Sequence, residues 1–147
     1  MVGRTPDGAH RAARRRGCRV TVLVGWSSSE EGAAALESAV AEATLRGGSL
    51  AVLDLTAADD RGQAARRVVG EVAGRHGGLT VRAVERPEKQ DPVDALLDAA
   101  VAEQAELVVV GTRRRSPVGK FLLGSTAQRV ILGAEVPVLV VKPAREG

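Results

Sequence analysis

The stretch LVVVGTRRRSPVGKFLLGSTAQRVILGAEVPVLVVK, residues 107–142, decides the fold of this chain. Its first four residues, Leu107 to Val110, are all apolar and do not alternate with polar residues, which is typical of a parallel strand covered by helices on both faces. Gly111 then ends the predicted strand. A loop, a helix and a second apolar strand follow, so the stretch predicts one strand-helix-strand unit of an α/β sheet.

The loop inside this stretch combines glycine with positive charge. It extends from Thr112 to Leu123 and returns at Gly124. Its basic residues are Arg113, Arg114, Arg115 and Lys120. Ser125, with Gln128 three residues later, predicts a capping box at the start of the helix. Backbone N–H groups and the positive end of the helix dipole would face one volume there, and both favour phosphate. The loop therefore predicts a phosphate-binding site.

The spacing of these residues resembles the nucleotide-binding signature of universal stress proteins, G-x2-G-x9-G-[S/T] before a helix and a PVLVV strand. Gly111, Gly124 and Ser125 occupy three of its positions, and Arg114 stands at the second glycine. This segment is similar to the variant of the signature that has arginine there, and the resemblance extends back to about Arg19. It implies a dimeric, cytoplasmic stress-response protein that binds an adenine nucleotide and signals through protein partners.

The resemblance also implies the ligand and the residues that hold it. The ligand would be ATP or another adenine nucleotide, with Mg²⁺ accompanying ATP. The phosphates would be held by Gly111, Gly124, Ser125 and Thr126, with Arg113 and Arg114 as positive charge. The nucleoside would be bordered by Trp26, Ser27, Leu55 and Val110.

Two residues, Ser27 and Arg114, keep a second interpretation open. Ser27 replaces the aspartate of the family's V-D-G-S loop, which touches the nucleoside end of the ligand. Arg114 either offers a bidentate guanidinium to phosphate or fills the pocket. In the second case the chain is a nucleotide-free dimeric interaction module of the same family. Trp26 likewise either forms a wall of the pocket or plugs the core behind the first strand.

Length and composition predict a single intracellular domain. The chain has 147 residues, enough to bury a core, and 44% of them are hydrophobic, with one Trp, one Phe and no Tyr. The core must therefore consist of Val, Leu and Ala. A lone cysteine, Cys18, cannot form an internal disulfide, which favours a reducing cytoplasm. No apolar run has the length of a membrane span, so we expect no membrane association.

The positive net charge belongs to the N-terminal segment. The chain has 21 Lys and Arg and 18 Asp and Glu; its first nineteen residues hold six Arg and one Asp, which leaves 15 basic and 17 acidic residues, a net of −2, in the remainder. Residues 1–18 have no periodic apolar face and are predicted to be a disordered basic tail before a domain over residues 19–147. Clustered arginines leave open a weak nucleic-acid or membrane-surface arm, since they attract phosphate groups electrostatically. The absence of an aromatic residue that stacks on bases favours an extension without that role.

In the first half of the chain, glycine and serine again mark the ends of the predicted strands and helices. Val20 to Val24 is rich in β-branched residues and predicts a strand that ends at Gly25. Ser28, with Glu31 three residues later, predicts a second capping box. The helix that it opens should end at Gly47, because glycine commonly follows a helix.

Further strands and helices alternate up to Leu107. Leu50 to Leu55 predicts a second strand, and the apolar spacing over residues 65–73 a second helix. Leu79 to Glu85 alternates between apolar and polar residues, as an edge strand does. Asp91 and Pro92 predict the N-cap and first residue of a third helix.

This alternation predicts one α/β domain: an open, doubly wound, parallel five-stranded sheet with helices on both faces. The resemblance implies the strand order 3-2-1-4-5. Ligands of such sheets bind at the carboxyl ends of the strands where the order reverses. That point lies between the first and fourth strands, which would bring Gly25 to Ser28 beside Gly111 to Arg114.

The last strand predicts a homodimer. Val136 to Val141 is apolar on both faces although the fifth strand lies at an edge of the sheet. An uncovered apolar edge tends to pair with another chain. We therefore expect the same strand of a second molecule to cover it, as the resemblance also implies.

We do not expect enzymatic activity. His10 belongs to the tail, His76 follows a helix, and Cys18 has no histidine near it in sequence. None of these patterns supplies an activated nucleophile or a positioned base. The spacings typical of metal ligands are absent from the sequence as well.

Overall fold

The computed structural model describes residues 20–56, 62–113 and 123–144, in which strands and helices alternate along the chain. The strands are β1 (Thr21–Trp26), β2 (Ser49–Asp54), β3 (Thr80–Val84), β4 (Ala105–Gly111) and β5 (Val138–Val141). The helices are α1 (Glu30–Leu45), α2 (Gln63–Arg75), α3 (Pro92–Ala102) and α4 (Ser125–Gly133). Within these described ranges, no helix combines the length and hydrophobicity that crossing a bilayer requires. The predicted tail, residues 1–18, lies outside the described residues.

The strands form one parallel sheet in the order β3-β2-β1-β4-β5, which confirms the predicted fold class and strand order. β1 lies at the centre, where Val22 pairs with Leu50 of β2 and with Leu107 of β4. The order reverses between β1 and β4, since β2 follows β1 on one side whereas the chain returns to the other side for β4. The carboxyl ends of β1 and β4 therefore border the crevice where such sheets bind ligands.

Helices cover both faces of the sheet, and alternate residues of each central strand point to opposite faces. One core layer joins the sheet to α1 and α2 and includes Val22, Val24, Ala35, Ala39, Val52, Val68 and Val109. The other joins it to α3 and α4 and includes Leu23, Leu53, Leu96, Ala99, Val108, Val110 and Val130. Small alanines on the helices let the helices approach the branched residues of the sheet closely. Among the described residues, Trp26 is the one aromatic side chain in the core.

The start of α1 corrects one predicted capping box. The N-cap is Ser29 rather than Ser28, and its Oγ accepts a hydrogen bond from the Gly32 N–H at 3.1 Å. The physical reason is the length of β1, which continues through Trp26 because its pairing with β2 extends that far. The helix consequently begins one residue later than predicted, and Glu31 takes no part in a capping box.

The capping box predicted at Ser125 and Gln128 is also wrong. Gly124 is the N-cap, and Ser125 is the first residue inside the helix. The Gln128 side-chain Nε2 instead donates to the carbonyl oxygen of Leu123 at 2.7 Å. At α3 the prediction is confirmed, because the Asp91 carboxylate accepts from the N–H of Val93 ahead of a helix that opens with proline.

The two edge strands differ from the central three in burial. β3 is partly exposed along its length, which agrees with its predicted place at an edge. β5 begins at Val138 rather than at Val136, because Pro137 contributes only its carbonyl oxygen, which accepts from the Val108 N–H at 3.0 Å. All four residues of β5 are partly buried within this single chain.

Candidate functional site

A cleft of about 500 Å³ opens at the carboxyl ends of β1 and β4, between the first turns of α1 and α4. This volume is within the range of small-molecule binding sites. Seven of the ten predicted site residues line it: Ser27, Leu55, Gly111, Arg113, Gly124, Ser125 and Thr126. Residues brought together from four separate segments of the chain thus share one concave surface.

Glycine is required in this cleft where backbone meets backbone. A Cβ atom on Gly111 would lie 2.1 Å from the carbonyl oxygen of Glu31, and one on Gly32 would lie 2.1 Å from the carbonyl oxygen of Ser27. Neither position can hold a side chain unless the backbone moves. The two glycines therefore let the first turn of α1 come into direct contact with the end of β4 and with the β1–α1 loop.

The first turn of α4 presents unpaired hydrogen-bond donors to the cleft. The first four N–H groups of a helix have no acceptor within it. Here the Gly124 N–H donates to the Thr112 hydroxyl at 3.0 Å, but those of Ser125, Thr126 and Ala127 have no acceptor among the described residues. The first turn contains no acidic side chain. The positive end of the helix dipole is therefore free to act on an anion in the cleft.

The first turn of α1 faces the same cleft, but the positive end of its helix dipole is already offset by a hydroxyl cap and two acidic side chains. The Ser29 hydroxyl caps it, and its first two helical residues are Glu30 and Glu31. Glu31 also lines the cleft, and its Oε1 lies 3.6 Å from Nε of Arg113. Negative charge near this helix start opposes a second anion, so α4 is the stronger anion site of the two.

Arg113 stands at the rim of the cleft. Its side chain is 88% exposed, so the ion pair with Glu31 is screened by solvent and contributes little to stability. Such a weakly held guanidinium can turn towards an anionic ligand at low cost. Arg114, the other predicted cation, lies outside the described residues.

Ser27 and Leu55 border the side of the cleft nearer β1 and β2. The hydroxyl oxygens of Ser27 and Ser29 lie 2.7 Å apart and share a hydrogen bond. Leu55 continues β2 by one residue, and its N–H donates to the carbonyl oxygen of Trp26 at 2.7 Å. This bond holds the Leu55 backbone at the end of the strand, and the side chain packs against the core layer under α3 and α4.

Trp26 and Val110 do not line the cleft, and they support it from below. The Trp26 side chain is 9% exposed and belongs to the core layer under α1 and α2. Side chains alternate along β1, so Gly25 faces α3 and the cleft floor whereas Trp26 points to the opposite face. Of the two interpretations of Trp26, the structure supports the core plug. Val110 is fully buried on the α3 and α4 side.

A surface ion pair joins α4 to the start of α3. Arg129 donates from Nη2 to Oδ1 of Asp91 at 2.9 Å and lies 3.6 Å from Oδ1 of Asp94. The hydrogen bond from Arg129 is the largest cause that lowers the pKa of Asp91, and the N–H of Asp94 lowers it further. The same contact raises the pKa of Arg129. The pair connects the start of α3 to the helix that supplies the free N–H groups.

Sequence reasoning placed Gly25 and Thr112 in the segments that meet at the cleft without naming them as contacts. It did not place Gly32 or Ala127 there, and it assigned Glu31 to a capping box. Thr112 could have been found from its place directly after a strand that ends in glycine, where hydroxyl groups often bond the backbone. No local signal marks Gly32 or Ala127. In the part of the chain that the structure describes, no group of three or more His, Cys, Asp or Glu side chains could hold a metal ion.

Comparison with known proteins gives the chain its family. The model of the universal stress protein family matches residues 9–142. A universal stress protein of Mycolicibacterium smegmatis is 40% identical over 126 residues, which cover 83% of this chain and 97% of the relative.

Solved structures share the fold. A universal stress protein from Archaeoglobus fulgidus is 29% identical, with a TM-score of 0.65, over 84% of this chain and 98% of its own. A universal stress protein in complex with cAMP is 26% identical, with a TM-score of 0.63, over 86% of this chain and 99% of its own. The cleft lies where the strand order reverses, and Gly124 caps the helix that borders it. Together with these features, the matches show that the chain belongs to the universal stress protein family.

Proposed function

We propose that this protein binds an adenine nucleotide, ATP among them, in the cleft between α1 and α4, and that binding serves a regulatory role in the stress response. The observation that carries the proposal is the start of α4, where the N–H groups of Ser125, Thr126 and Ala127 face the cleft without an acceptor among the described residues. Support also comes from the similar universal stress protein whose structure contains cAMP.

The phosphate end of the nucleotide would lie against this helix start. The three N–H groups supply directed donors, and the hydroxyls of Ser125 and Thr126 add two more. Gly111 leaves room for close approach, and Arg113 supplies a mobile positive charge at the rim. Arg114 would complete this end with a second guanidinium, which suits phosphate oxygens because it donates in pairs.

The nucleoside would occupy the side of the cleft towards β1 and β2. Ser27 and Leu55 border it, while Trp26 and Val110 keep the strand ends beneath it rigid. An aliphatic wall such as Leu55 suits one face of a purine ring, because contact there removes apolar surface from water. Ser27 offers a hydroxyl in place of the family's aspartate.

Mg²⁺ would enter with ATP rather than occupy a site of its own. Mg²⁺ is usually bound through substrate phosphates and one or two carboxylates, and it keeps several waters. Glu31 is the carboxylate that lines the described part of the cleft, and it fits this role. Our proposal gives the protein no catalytic activity of its own; it would act in the cytoplasm by presenting its liganded state to a protein partner.

The proposal includes a homodimer formed through β5. In a parallel ladder, alternate residues of an edge strand bond to the neighbouring strand and the others face outwards. Pro137 and Val141 pair with β4 through their carbonyl oxygens. By this alternation, the N–H and C=O groups of Val138 and Val140 face the free edge and are available to the same strand of a second molecule.

Calorimetric titration with ATP, ADP, AMP and cAMP tests the binding proposal, and two variants at one position sharpen it. Ser125→Pro removes one N–H donor without harm to the helix, because proline is well tolerated at the first helical position and Gly124 already has an extended ψ of 152°. Ser125→Ala is the matched control, which removes the hydroxyl and keeps the N–H.

We expect Ser125→Pro to weaken binding of each phosphate-bearing ligand by about 10- to 100-fold, the value of a hydrogen bond to a charged group. Ser125→Ala should weaken binding of these ligands by a smaller factor. Absence of heat with all four nucleotides at millimolar concentration would rule out the proposed function. Equal affinities for Ser125→Pro and wild type would remove α4 from the site.

A second candidate is a nucleotide-free dimeric interaction module. Two observations favour it: the Glu31 carboxylate faces the cleft, and the Ser27 hydroxyl is already paired with that of Ser29. This candidate predicts that the purified protein binds no nucleotide yet remains a dimer in sedimentation experiments. Nucleotide that copurifies with the protein would exclude it.

A further inference from the structure

Thr112 is nearly completely buried and still contributes to the cleft surface. Its residue exposure is 3%, and it follows the last residue of β4. Two hydrogen bonds fix it: its N–H donates to the carbonyl oxygen of Val141 at 2.8 Å, and its Oγ1 accepts from the Gly124 N–H at 3.0 Å. Thr112 thus connects β4 to both β5 and the start of α4.

Among the residues that the structure describes, the Thr112 hydroxyl takes part in hydrogen bonding only as an acceptor. A threonine hydroxyl has one proton to donate and two lone pairs. Its oxygen accepts from Gly124, and within residues 20–56, 62–113 and 123–144 no protein oxygen accepts its proton. A buried donor without an acceptor is costly, and because Thr112 lines the cleft, a ligand bound there can supply one.

The same bond sets the geometry of α4. Gly124 approaches Thr112 so closely that a Cβ on Gly124 would lie 3.2 Å from Oγ1. Because Gly124 is the N-cap, its position determines where the next three N–H groups point. The branched side chain of threonine restricts χ1, so the hydroxyl is held in one orientation at little entropic cost.

We propose that Thr112 is both a positioning residue and a direct ligand contact for the phosphate of the bound nucleotide. Its oxygen fixes Gly124, and its proton is donated to a phosphate oxygen held at the start of α4. Donation to the anion also strengthens the bond from Gly124, since linked hydrogen bonds polarise one another. This inference rests on the proposed nucleotide-binding function and assigns a further residue to the same site.

The test compares the full-length wild type with Thr112→Val and Thr112→Ser. Valine has nearly the shape of threonine and lacks the hydroxyl, whereas serine keeps it. Each protein is titrated with AMP and with adenosine, which lacks the phosphate. We expect Thr112→Val to bind AMP about 10- to 100-fold more weakly, with Thr112→Ser within about threefold of wild type and adenosine affinity unchanged in all three.

A measurement on the wild type alone covers the case in which Thr112→Val does not fold. In ¹⁵N-resolved NMR spectra, AMP should shift the Gly124 amide resonance and adenosine should leave it in place. Wild-type affinity of Thr112→Val for AMP, or an equal loss for AMP and adenosine, would overturn this inference alone. An unmoved Gly124 resonance on AMP binding would do the same. Failure of the wild type to bind any nucleotide would overturn the proposed function together with it.

Discussion

The carbonyl oxygen of Glu31 lies where a side chain on Gly111 would begin, since a Cβ placed on Gly111 would be 2.1 Å from it. The end of β4 and the first turn of α1 are therefore in contact through their backbones. This contact sets how closely the first turn of α1 approaches the end of β4, and it makes the absence of a side chain at residue 111 a condition of the fold.

Substitution Gly111→Ala should push α1 away from β4 and destabilise the protein. Overpacking of this kind typically costs about 1–3 kcal/mol. Urea unfolding followed by circular dichroism measures the loss. A variant as stable as the wild type would show that the first turn of α1 moves freely, and then the cleft walls would not be rigid.

Substitution Gly70→Ala should have the opposite effect. Gly70 lies inside α2, and a Cβ there would meet nothing within 4 Å. Replacing an exposed helical glycine by alanine stabilises by about 0.5–1 kcal/mol, because glycine loses more backbone entropy on folding. Gly47→Ala is a useful contrast. Its φ of +63° after α1 disfavours any other residue, so this variant should be less stable in the same urea experiment.

Stability should depend on pH through Asp91. Its pKa in the folded protein lies below the ordinary value of 3.8, chiefly because Arg129 donates to the carboxylate. The unfolded chain therefore binds a proton first, so this contribution to stability is complete above about pH 3.8 and disappears as the pH falls through the folded pKa.

Asp91→Asn tests this dependence, because asparagine also caps helices well and only the charge is lost. The difference in unfolding free energy between wild type and variant should be present at pH 7 and vanish in strong acid. Arg129→Met should likewise reduce the pH dependence. A wild-type advantage that persists unchanged in strong acid would contradict the assignment to Asp91.

The fluorescence of Trp26 should report core packing rather than ligand contact. Its side chain is 9% exposed and faces away from the cleft. We expect a blue-shifted emission that iodide quenches weakly in the folded state and strongly in urea. Saturation with AMP should leave the emission wavelength unchanged. A large shift on AMP binding would mean that the indole reaches the ligand.

Substitution Val140→Pro should dissociate the proposed dimer without unfolding the domain. The N–H of residue 140 faces the free edge by the alternation along β5, and proline is tolerated on edge strands where the missing N–H points to solvent. Sedimentation at micromolar concentration should show dimeric wild type and monomeric Val140→Pro with unchanged circular dichroism. Monomeric wild type would refute the dimer itself.

The amino-acid sequence by itself determined the architecture. The unbroken apolar run from Leu107 to Val110, the amphipathic helices and the glycines after each element specify buried parallel strands with helices on both faces. These are signals within ten residues or so, set by side-chain periodicity and backbone freedom. The resemblance carried by the Gly111 to Gly124 segment named five residues that line the cleft, and the same resemblance named Ser27 and Leu55 from the first half of the chain.

Only the tertiary structure decided which groups in that cleft are free to act. The Thr112 hydroxyl accepts a hydrogen bond from the N–H of Gly124, twelve residues away. Glu31 offsets the positive dipole end of α1, whereas the first turn of α4 contains no acidic side chain. Trp26 lies on the α1 and α2 face because side chains alternate along β1, and its pairing with Asp54 of β2 keeps it within the strand. Such properties arise from contacts between distant segments, where sterics and hydrogen-bond competition act in three dimensions, and local sequence patterns carry no record of them.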